Sequence, residues 1–299
     1  MTSSNALAAA AAHGHCGPID TGFVALGPLK VAFLGVVQGI SELLPISSTA
    51  HLRAIPAFLG WPVPGSAFSA AMQLAALAAV IAYFWKDVER SVIGSVRAIR
   101  GRVWTDVELR LAVAVIIATV PIVFAGLALS KTLNACGSVL RAPMVIGIAC
   151  LVMGGLLALA ERLATHRRHT DDVTLRDGLL IGLAQVGALI PGVSRSGSTF
   201  TAALSLGFAR AEAARVSFLL GIPAIAAAGA HEIWELAQFG LPSGGWLMLG
   251  LGLVVSSASS FLAIWGLMRF LQHFSTWPLV AYRLSLGIVL IAGSLAGWL

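Results

Sequence analysis

Two short segments combine polar side chains that could bind and cleave a phosphate: Gln38–His51 and Pro191–Thr199. In the first segment, Gln38 and Glu42 are four residues apart, so a helix places both on one face. Pro45 then ends or kinks that helix. Hydroxyls at the turn can cap the next helix and leave its other N–H groups free for an anion. Three hydroxyl residues and a histidine follow there: Ser47, Ser48, Thr49 and His51.

The second segment adds hydrogen-bond donors and room for close backbone approach. Gly192 and Gly197 let the backbone come near a ligand. Arg195 has a planar guanidinium that matches phosphate oxygens. Neutral donors come from a following helix N-terminus and from hydroxyl side chains that include Ser194, Ser196 and Thr199. Together the two segments predict an anion-binding site with a carboxylate and a histidine beside it.

Each of these side chains also has a structural explanation. Ser and Thr in membrane helices commonly bond to backbone or to a neighbouring helix, Gln38 could pack between helices, and His51 could be a satisfied core residue. Glu42 and Arg195 differ, because a charge at membrane depth costs roughly 3 kcal/mol and marks function by default. The structural alternative is a buried ion pair between them. We expect Arg53 to reach the headgroups, and the position of Arg283 stays open between the headgroups and the interior.

The composition places the chain in a bilayer. Of its 299 residues, 58% are hydrophobic and 11% are charged, whereas a soluble domain has about 25% charged residues. The formal net charge of +6 comes from basic residues in short loops, which indicates membrane topology rather than nucleic-acid binding. The cysteines show no paired spacing, so neither a disulfide framework nor a zinc site is predicted: Cys16, Cys136 and Cys150.

A bilayer core needs about 20 apolar residues per helix, and six runs meet that length: Ser66–Trp85, Leu109–Ser130, Ala142–Ala160, Ala213–Leu236, Trp246–Phe270 and Pro278–Trp298. Two further stretches, Gly22–Trp61 and Leu175–Phe208, each have two apolar arms around a polar, proline-containing centre. Broken backbone at membrane depth is tolerated only where protein or a wet cavity surrounds it. We therefore predict that both are re-entrant helix hairpins.

The two halves resemble repeats. Each runs from a polar hairpin to three spans, and Gln38 and Gln185 mark corresponding positions about 147 residues apart. Three crossings per half invert the second half, which places a site near the midplane where the hairpin tips meet. The sequence thus predicts an all-α integral membrane protein with six transmembrane helices and two re-entrant hairpins in an inverted-topology repeat. A disordered tail, 1–21, precedes a single membrane domain, 22–299, with halves at about 22–165 and 170–299.

Loop charges predict the orientation. In this arrangement 13 of the 19 basic residues fall on one side, which should be cytoplasmic, so both termini lie outside. Within the basic loop, Val88–Val103 has two interpretations: a basic amphipathic helix along the headgroups, or a solvated loop.

The residues of both polar segments also resemble a known family. Leu34 to His51, LGVVQGISELLPISSTAH, is similar to the first signature of the bacterial undecaprenyl-diphosphate phosphatase family of the bacitracin-resistance type. Pro191 to Thr199, PGVSRSGST, matches its second signature throughout. The likeness spans roughly Val31 to the C-terminus. Two departures stand in the first signature: Gln38, where the family often has Glu, and Ala50, where Gly is usual.

The resemblance implies a hydrolase of the bacterial cytoplasmic (inner) membrane that converts undecaprenyl diphosphate to undecaprenyl phosphate and inorganic phosphate. That product is the recycled carrier of cell-wall (peptidoglycan) synthesis, and the activity implies bacitracin resistance and a divalent cation, Mg or Ca. The implied catalytic residues are Glu42, Ser48, His51 and Arg195, with Ser48 or His51 as the nucleophile. The implied metal ligands are Glu42 and, more weakly, Gln38. The implied substrate-binding residues are Ser47, Thr49, Ser194, Ser196 and Thr199.

Two other function classes remain to be separated from this one. Inverted repeats with opposed hairpins also occur in secondary transporters, so a transporter or flippase for a phosphate-bearing lipid or anion is the alternative. A phosphatase of the phosphatidic-acid type needs a Ser-Arg pair followed six residues later by His. Ser194-Arg195 is followed there by Thr201, so that pattern fails. The expected partners are a polyprenyl diphosphate and membrane lipids, with no nucleic acid.

Overall fold

The computed structural model of the chain describes residues 20–133 and 138–299. Within these residues the chain is helical, with the α-helices α1 Pro28–Leu43, α2 Ser48–Phe58, α3 Ser66–Tyr83, α4 Trp85–Gly101, α5 Val107–Leu133, α6 Pro143–Leu163, α7 Leu175–Val186, α8 Arg195–Ser205, α9 Arg210–Phe239, α10 Gly245–His273 and α11 Trp277–Leu295. Short 3-10 turns lie between them. The tail proposed at 1–21 lies outside the described residues except for its last two positions.

The predicted set of apolar spans is confirmed by helix length and composition. Five helices are long and apolar enough to cross a bilayer singly, and they are α5, α6, α9, α10 and α11. A sixth candidate consists of α3 and α4 together, bent by 75° at Phe84. The bend coincides with the end of the apolar run, because α4 begins at Trp85 and continues into charged sequence. Membrane orientation and the outer position of the termini stay predictions.

The basic segment after α3 is a helix. Of its two interpretations, the solvated loop is wrong, since α4 is continuous from Trp85 to Gly101. Val92, Val96 and Ile99 are exposed along it at spacings of four and three residues, which places them on one face. Its placement along the headgroups stays a prediction.

Both polar segments fold as two short helices around a break. The first pair, α1 and α2, has 16 and 11 residues, and the second pair, α7 and α8, has 12 and 11 residues. We call α1–α2 the first hairpin and α7–α8 the second hairpin. The first tip is 44–48 and the second tip is 187–195. Neither segment is one continuous span, as predicted, while the return of each hairpin to its own membrane face stays a prediction.

Each hairpin packs against a helix of the opposite half of the chain, and glycines form the contact. In the first hairpin Gly35 and Gly39 face α10, and in the second Gly178 and Gly182 face α5. A Cβ atom at any of the four would lie 3.1 Å or less from an atom of the opposing helix, so the backbones touch. Small residues permit this approach between membrane helices. Each half therefore holds the hairpin of the other half, and both tips are brought to the middle of the bundle.

Candidate active site between the hairpin tips

The two tips have the same backbone turn. Ser47 and Ser194 both have a left-handed φ, 73° and 69°, which is uncommon outside glycine. Each serine is the N-cap of the next helix: the Ser47 Oγ accepts from the Ala50 N–H at 3.4 Å, and the Ser194 Oγ accepts from the Gly197 N–H at 3.2 Å. Two helix N-termini, 147 residues apart in sequence, thus present N–H groups at the centre of the molecule.

Glu42, at the end of α1, is the meeting point of the predicted catalytic side chains. The Ser48 hydroxyl donates to Glu42 Oε2 at 2.7 Å, and the Gln38 amide donates to the same oxygen at 2.9 Å. The other carboxylate oxygen, Oε1, lies 3.5 Å from Arg195 of the second hairpin. Glu42 is 8% exposed, so this is a buried carboxylate with three polar partners. The predicted convergence of Glu42, Ser48 and Arg195 is confirmed.

Arg195 is held in place by the neighbouring helix α9. Its Nη1 donates to the Gly221 carbonyl at 3.4 Å. A Cβ atom at Gly221 would lie 2.3 Å from that same nitrogen, so only glycine leaves the space that the guanidinium occupies. The ion pair with Glu42 also fits a structural link between the hairpins, because removing one partner of a buried pair is costly.

Arg283 of α11 joins the two tips directly. Its guanidinium donates to the Pro45 carbonyl of the first tip and to the Gly192 carbonyl of the second, both at 2.8 Å, and also to the Val193 carbonyl. It is 1% exposed. Of the two positions left open for Arg283, the headgroup position is wrong. Three backbone carbonyls replace the water that a buried guanidinium loses. Arg53 is half-buried at the mouth of the first hairpin.

His51 has both ring nitrogens engaged. Its Nδ1 lies 2.7 Å from the Ser47 carbonyl oxygen, and its Nε2 lies 2.6 Å from the Tyr282 hydroxyl. His51 is 7% exposed, whereas Tyr282 is 47% exposed. His51 therefore lies beside the first tip, and Tyr282 covers it on the open side.

The predicted substrate-binding hydroxyls differ in their hydrogen bonds to the protein and in their exposure. Ser196 donates to the Glu42 carbonyl at 3.0 Å and so joins the two hairpins, whereas Thr199 donates to the Arg195 carbonyl at 2.9 Å within α8. Thr49 is exposed and Ser194 is half-buried, so these two are more open to a ligand. The substrate-binding roles of all of them, with that of Ser47, stay predictions.

The charge at the tips is positive overall. Glu42 supplies one negative charge against the guanidinium groups of Arg195 and Arg283. An incoming diphosphate would supply the balancing negative charge in a region where unpaired charge is costly. This balance suits a polyanion rather than a neutral or cationic ligand.

Two oxygen-bearing side chains fit a hard divalent cation. Gln38 Oε1 is buried without a hydrogen-bond partner, and it belongs to the amide whose nitrogen bonds Glu42. Among the described residues no group of three His, Cys, Asp or Glu side chains could hold a metal by itself. A carboxylate, an amide oxygen and substrate phosphates are a ligand set that Mg²⁺ accepts, since it keeps several waters. The residues present therefore fit a cation that binds together with a diphosphate.

Two residues of this site, Tyr282 and Arg283, were missed as functional candidates. The available signal was an arginine inside the apolar run Pro278–Trp298, where a charge at depth indicates function. The identity of their partners carries no local signal, since Arg283 contacts Pro45 across 238 positions of sequence.

The chain matches the model of one protein family over most of its length. Residues 31–289 match the family described as bacitracin resistance protein BacA. This range includes the second hairpin, the first hairpin from Val31 onward and all the predicted site residues.

Named relatives agree with that match. A protein named "Undecaprenyl-diphosphatase 2" from Mesorhizobium japonicum is 62% identical over 263 residues, which is 88% of this chain and 100% of the relative. "Undecaprenyl-diphosphatase" from Gloeobacter violaceus is 50% identical over 274 residues, covering 92% of this chain and 94% of the relative. A protein of the same name from Trichormus variabilis is 46% identical over 270 residues, covering 90% and 84%.

Proposed function

The chain belongs to the bacitracin resistance protein BacA family, and we propose that its two hairpin tips together form the site that removes the terminal phosphate of undecaprenyl diphosphate. It is an undecaprenyl-diphosphatase, a multi-pass membrane hydrolase whose products are undecaprenyl phosphate and inorganic phosphate. Bacitracin resistance and a place in cell-wall synthesis fit the family.

One observation supports this location of the chemistry above all others. The Glu42 carboxylate accepts a hydrogen bond from Ser48 at 2.7 Å and lies 3.5 Å from the guanidinium of Arg195. The proposed base Glu42 therefore lies beside both the proposed nucleophile Ser48 and the proposed phosphate-binding guanidinium of Arg195. The two hairpins that supply them are far apart in sequence.

In the reaction, Glu42 accepts the proton of the Ser48 hydroxyl as Ser48 Oγ attacks the terminal phosphorus. The bond from that phosphorus to the bridging oxygen breaks, and undecaprenyl phosphate departs with the electron pair and with the proton relayed from Glu42. Glu42 then takes a proton from water, which attacks the phosphoserine and releases inorganic phosphate. The bond from phosphorus to Ser48 Oγ breaks, and Ser48 Oγ takes the proton back from Glu42, so the site returns to its starting state.

Arg195 holds the phosphoryl oxygens during both steps. Its planar fork matches two phosphate oxygens and opposes the charge that develops on them. The same guanidinium lies 3.5 Å from Glu42, so substrate binding exchanges one anionic partner for another. Arg283 keeps the tips together while this exchange occurs.

We assign the attack to Ser48 rather than to His51. An attacking imidazole needs a nitrogen lone pair that faces the phosphorus. Nδ1 of His51 is bonded to the Ser47 carbonyl, and Nε2 is bonded to the Tyr282 hydroxyl. The Ser48 hydroxyl is instead already bonded to a carboxylate that can accept its proton.

Glu42 and Gln38 would hold a divalent cation, with Mg or Ca as the candidates. When bound, the cation neutralises diphosphate charge. We also place the protein in the bacterial cytoplasmic membrane, with the basic side cytoplasmic and both termini outside, because 13 of the 19 basic residues fall on one side of the predicted spans.

Phosphate release from undecaprenyl diphosphate by the purified protein in detergent tests the proposal. We expect turnover that stops on addition of a chelator and returns with Mg²⁺ or Ca²⁺. Undecaprenyl phosphate serves as the control and should release none. Turnover that persists in chelator would remove the metal from the account, and absence of release with lipid movement across proteoliposomes would favour the transporter alternative.

A further inference from the structure

Tyr282 has no part in the reaction described above, yet it contacts His51 beside the first tip. The Tyr282 hydroxyl lies 2.6 Å from His51 Nε2, and the two rings are parallel within 2° with centroids 5.7 Å apart. Tyr282 belongs to α11 and His51 to α2, 231 positions apart in sequence. This contact therefore joins the last helix of the chain to the first hairpin.

The Ser47 carbonyl determines which atom donates in each of the two hydrogen bonds of His51. The Ser47 carbonyl oxygen can only accept, so His51 Nδ1 is the donor in the 2.7 Å contact. Neutral imidazole has one N–H group, so its Nε2 is then an acceptor. The Tyr282 hydroxyl is consequently the donor to Nε2. Tyr282 thus selects the tautomer of His51 that can bond the Ser47 carbonyl.

In the second tip, a backbone N–H makes the hydrogen bond that the His51 ring makes in the first. There the Ser194 carbonyl accepts a backbone N–H bond from Ser198 at 2.9 Å. The corresponding backbone bond in the first tip, from His51 N–H to the Ser47 carbonyl, is long at 3.4 Å. The shorter bond to that carbonyl, at 2.7 Å, comes from the His51 ring. The first tip therefore depends on a side chain where the second uses backbone.

The group held in this way immediately precedes the proposed nucleophile. Ser47 has φ 73° and ψ 97°, a conformation that costs energy for any residue with a Cβ atom. Ser48 follows it, and in this turn the Ser48 hydroxyl donates to Glu42 at 2.7 Å. Fixing the Ser47 carbonyl therefore fixes the direction of the Ser48 side chain.

We propose that Tyr282 is a positioning residue of this phosphatase, which acts through His51 on the Ser47–Ser48 turn and keeps the Ser48 hydroxyl against Glu42. The proposal rests on the assignment of the attack to Ser48 under the proposed function. It gives His51 the role of a support for the turn, with Tyr282 as the group that orients it.

Tyr282→Phe tests the proposal, because it keeps the ring against His51 and removes only the hydroxyl. We expect kcat for phosphate release to fall about three- to tenfold, the effect of one lost hydrogen bond, with KM unchanged within about twofold. Tyr83→Phe is the matched control, because Tyr83 is the other tyrosine of the chain and packs against Phe84 and Phe261. That variant should keep wild-type kcat.

A double-mutant cycle separates positioning from substrate contact. His51→Asn retains a donor near the Nδ1 position and has no Nε2, so adding Tyr282→Phe to it should cause no further loss. Additive losses, a rise in KM at constant kcat, or wild-type kinetics in Tyr282→Phe would each overturn the proposal. If His51→Asn turns over too slowly for a cycle, the kcat and KM values of Tyr282→Phe decide the question. Failure of the wild-type protein to release phosphate would instead overturn the proposed function.

Discussion

The two hairpin tips share one backbone conformation but carry different functional groups. Both place a serine with left-handed φ at a helix N-cap, at Ser47 and at Ser194. The residue after that serine is Ser48 in the first tip and Arg195 in the second. The proposed hydroxyl nucleophile and a guanidinium therefore occupy corresponding positions in the two turns.

This difference in residues shows how two hairpins with the same backbone can supply different groups for one reaction. The position that corresponds to Glu42 in the second hairpin is Leu189, so only the first hairpin has a carboxylate there. Under the proposed function, the first hairpin supplies base and nucleophile, and the second supplies the charge that binds phosphate. Arg283 donates to carbonyls of both tips and so links them.

The largest expected effect comes from removing the carboxylate of the first tip. Glu42→Gln keeps the shape and loses the base, so we expect kcat to fall about 100- to 10,000-fold, the usual range for a general base. Glu235→Gln, on α9 outside both tips, is the control and should keep wild-type rates. Retention of a tenth or more of the activity by Glu42→Gln would break the assignment of the base to the first tip.

The second tip is tested by Arg195. Arg195→Ala should reduce kcat/KM by at least ~100-fold, because phosphoryl charge loses its main partner. Arg195→Lys should also fall substantially, since a point charge does not reproduce the planar fork. Arg269→Lys, where the guanidinium lies over Trp265, is the matched control. Equal activity of the arginine and lysine forms at position 195 would show that charge alone suffices there.

The smallest expected effect concerns the pair of corresponding glutamines. Gln38→Leu should raise the Mg²⁺ concentration for half-maximal activity by about tenfold, a magnitude typical of lost metal support, and Gln38→Glu should lower it. Gln185→Leu, the same change in the second hairpin, should leave the metal requirement unchanged, because the Gln185 amide bonds the Ala118 carbonyl and the position that corresponds to Glu42 is Leu189. A similar shift in both leucine variants would mean that Gln38 acts on stability and not on the metal.

Much of the fold followed from run length and polarity. Six apolar runs predicted the spans, since a bilayer imposes a minimum length on a helix. The two polar, proline-containing centres predicted the breaks at the tips, and a charge at membrane depth selected Glu42 and Arg195. These signals are local. The free-energy cost of a charge at membrane depth, for example, depends on one residue and can be judged from the sequence alone.

The remaining features depend on contacts between distant segments. The 75° bend between α3 and α4 falls at Phe84 and Trp85, where neither proline nor glycine marks it. Arg283 shows an unpaired charge in the sequence, but its partners are backbone carbonyls, which any residue could supply. Tyr282 sits in an apolar run as an ordinary aromatic residue, and its contact with His51 arises only when α11 packs beside α2.

The division of labour between the tips is tested most directly by the turnover of Ser48→Ala with undecaprenyl diphosphate. The account predicts that kcat becomes undetectable, because the variant has no attacking oxygen at the first tip. Ser198→Ala is the control: it removes a hydroxyl of the second hairpin that donates to the Arg195 carbonyl at 3.0 Å, and its loss should be about fivefold or less, the effect of about 1 kcal/mol. A comparably small loss in Ser48→Ala would contradict the account, because the Ser48 hydroxyl would then be a structural hydrogen-bond donor and not the nucleophile.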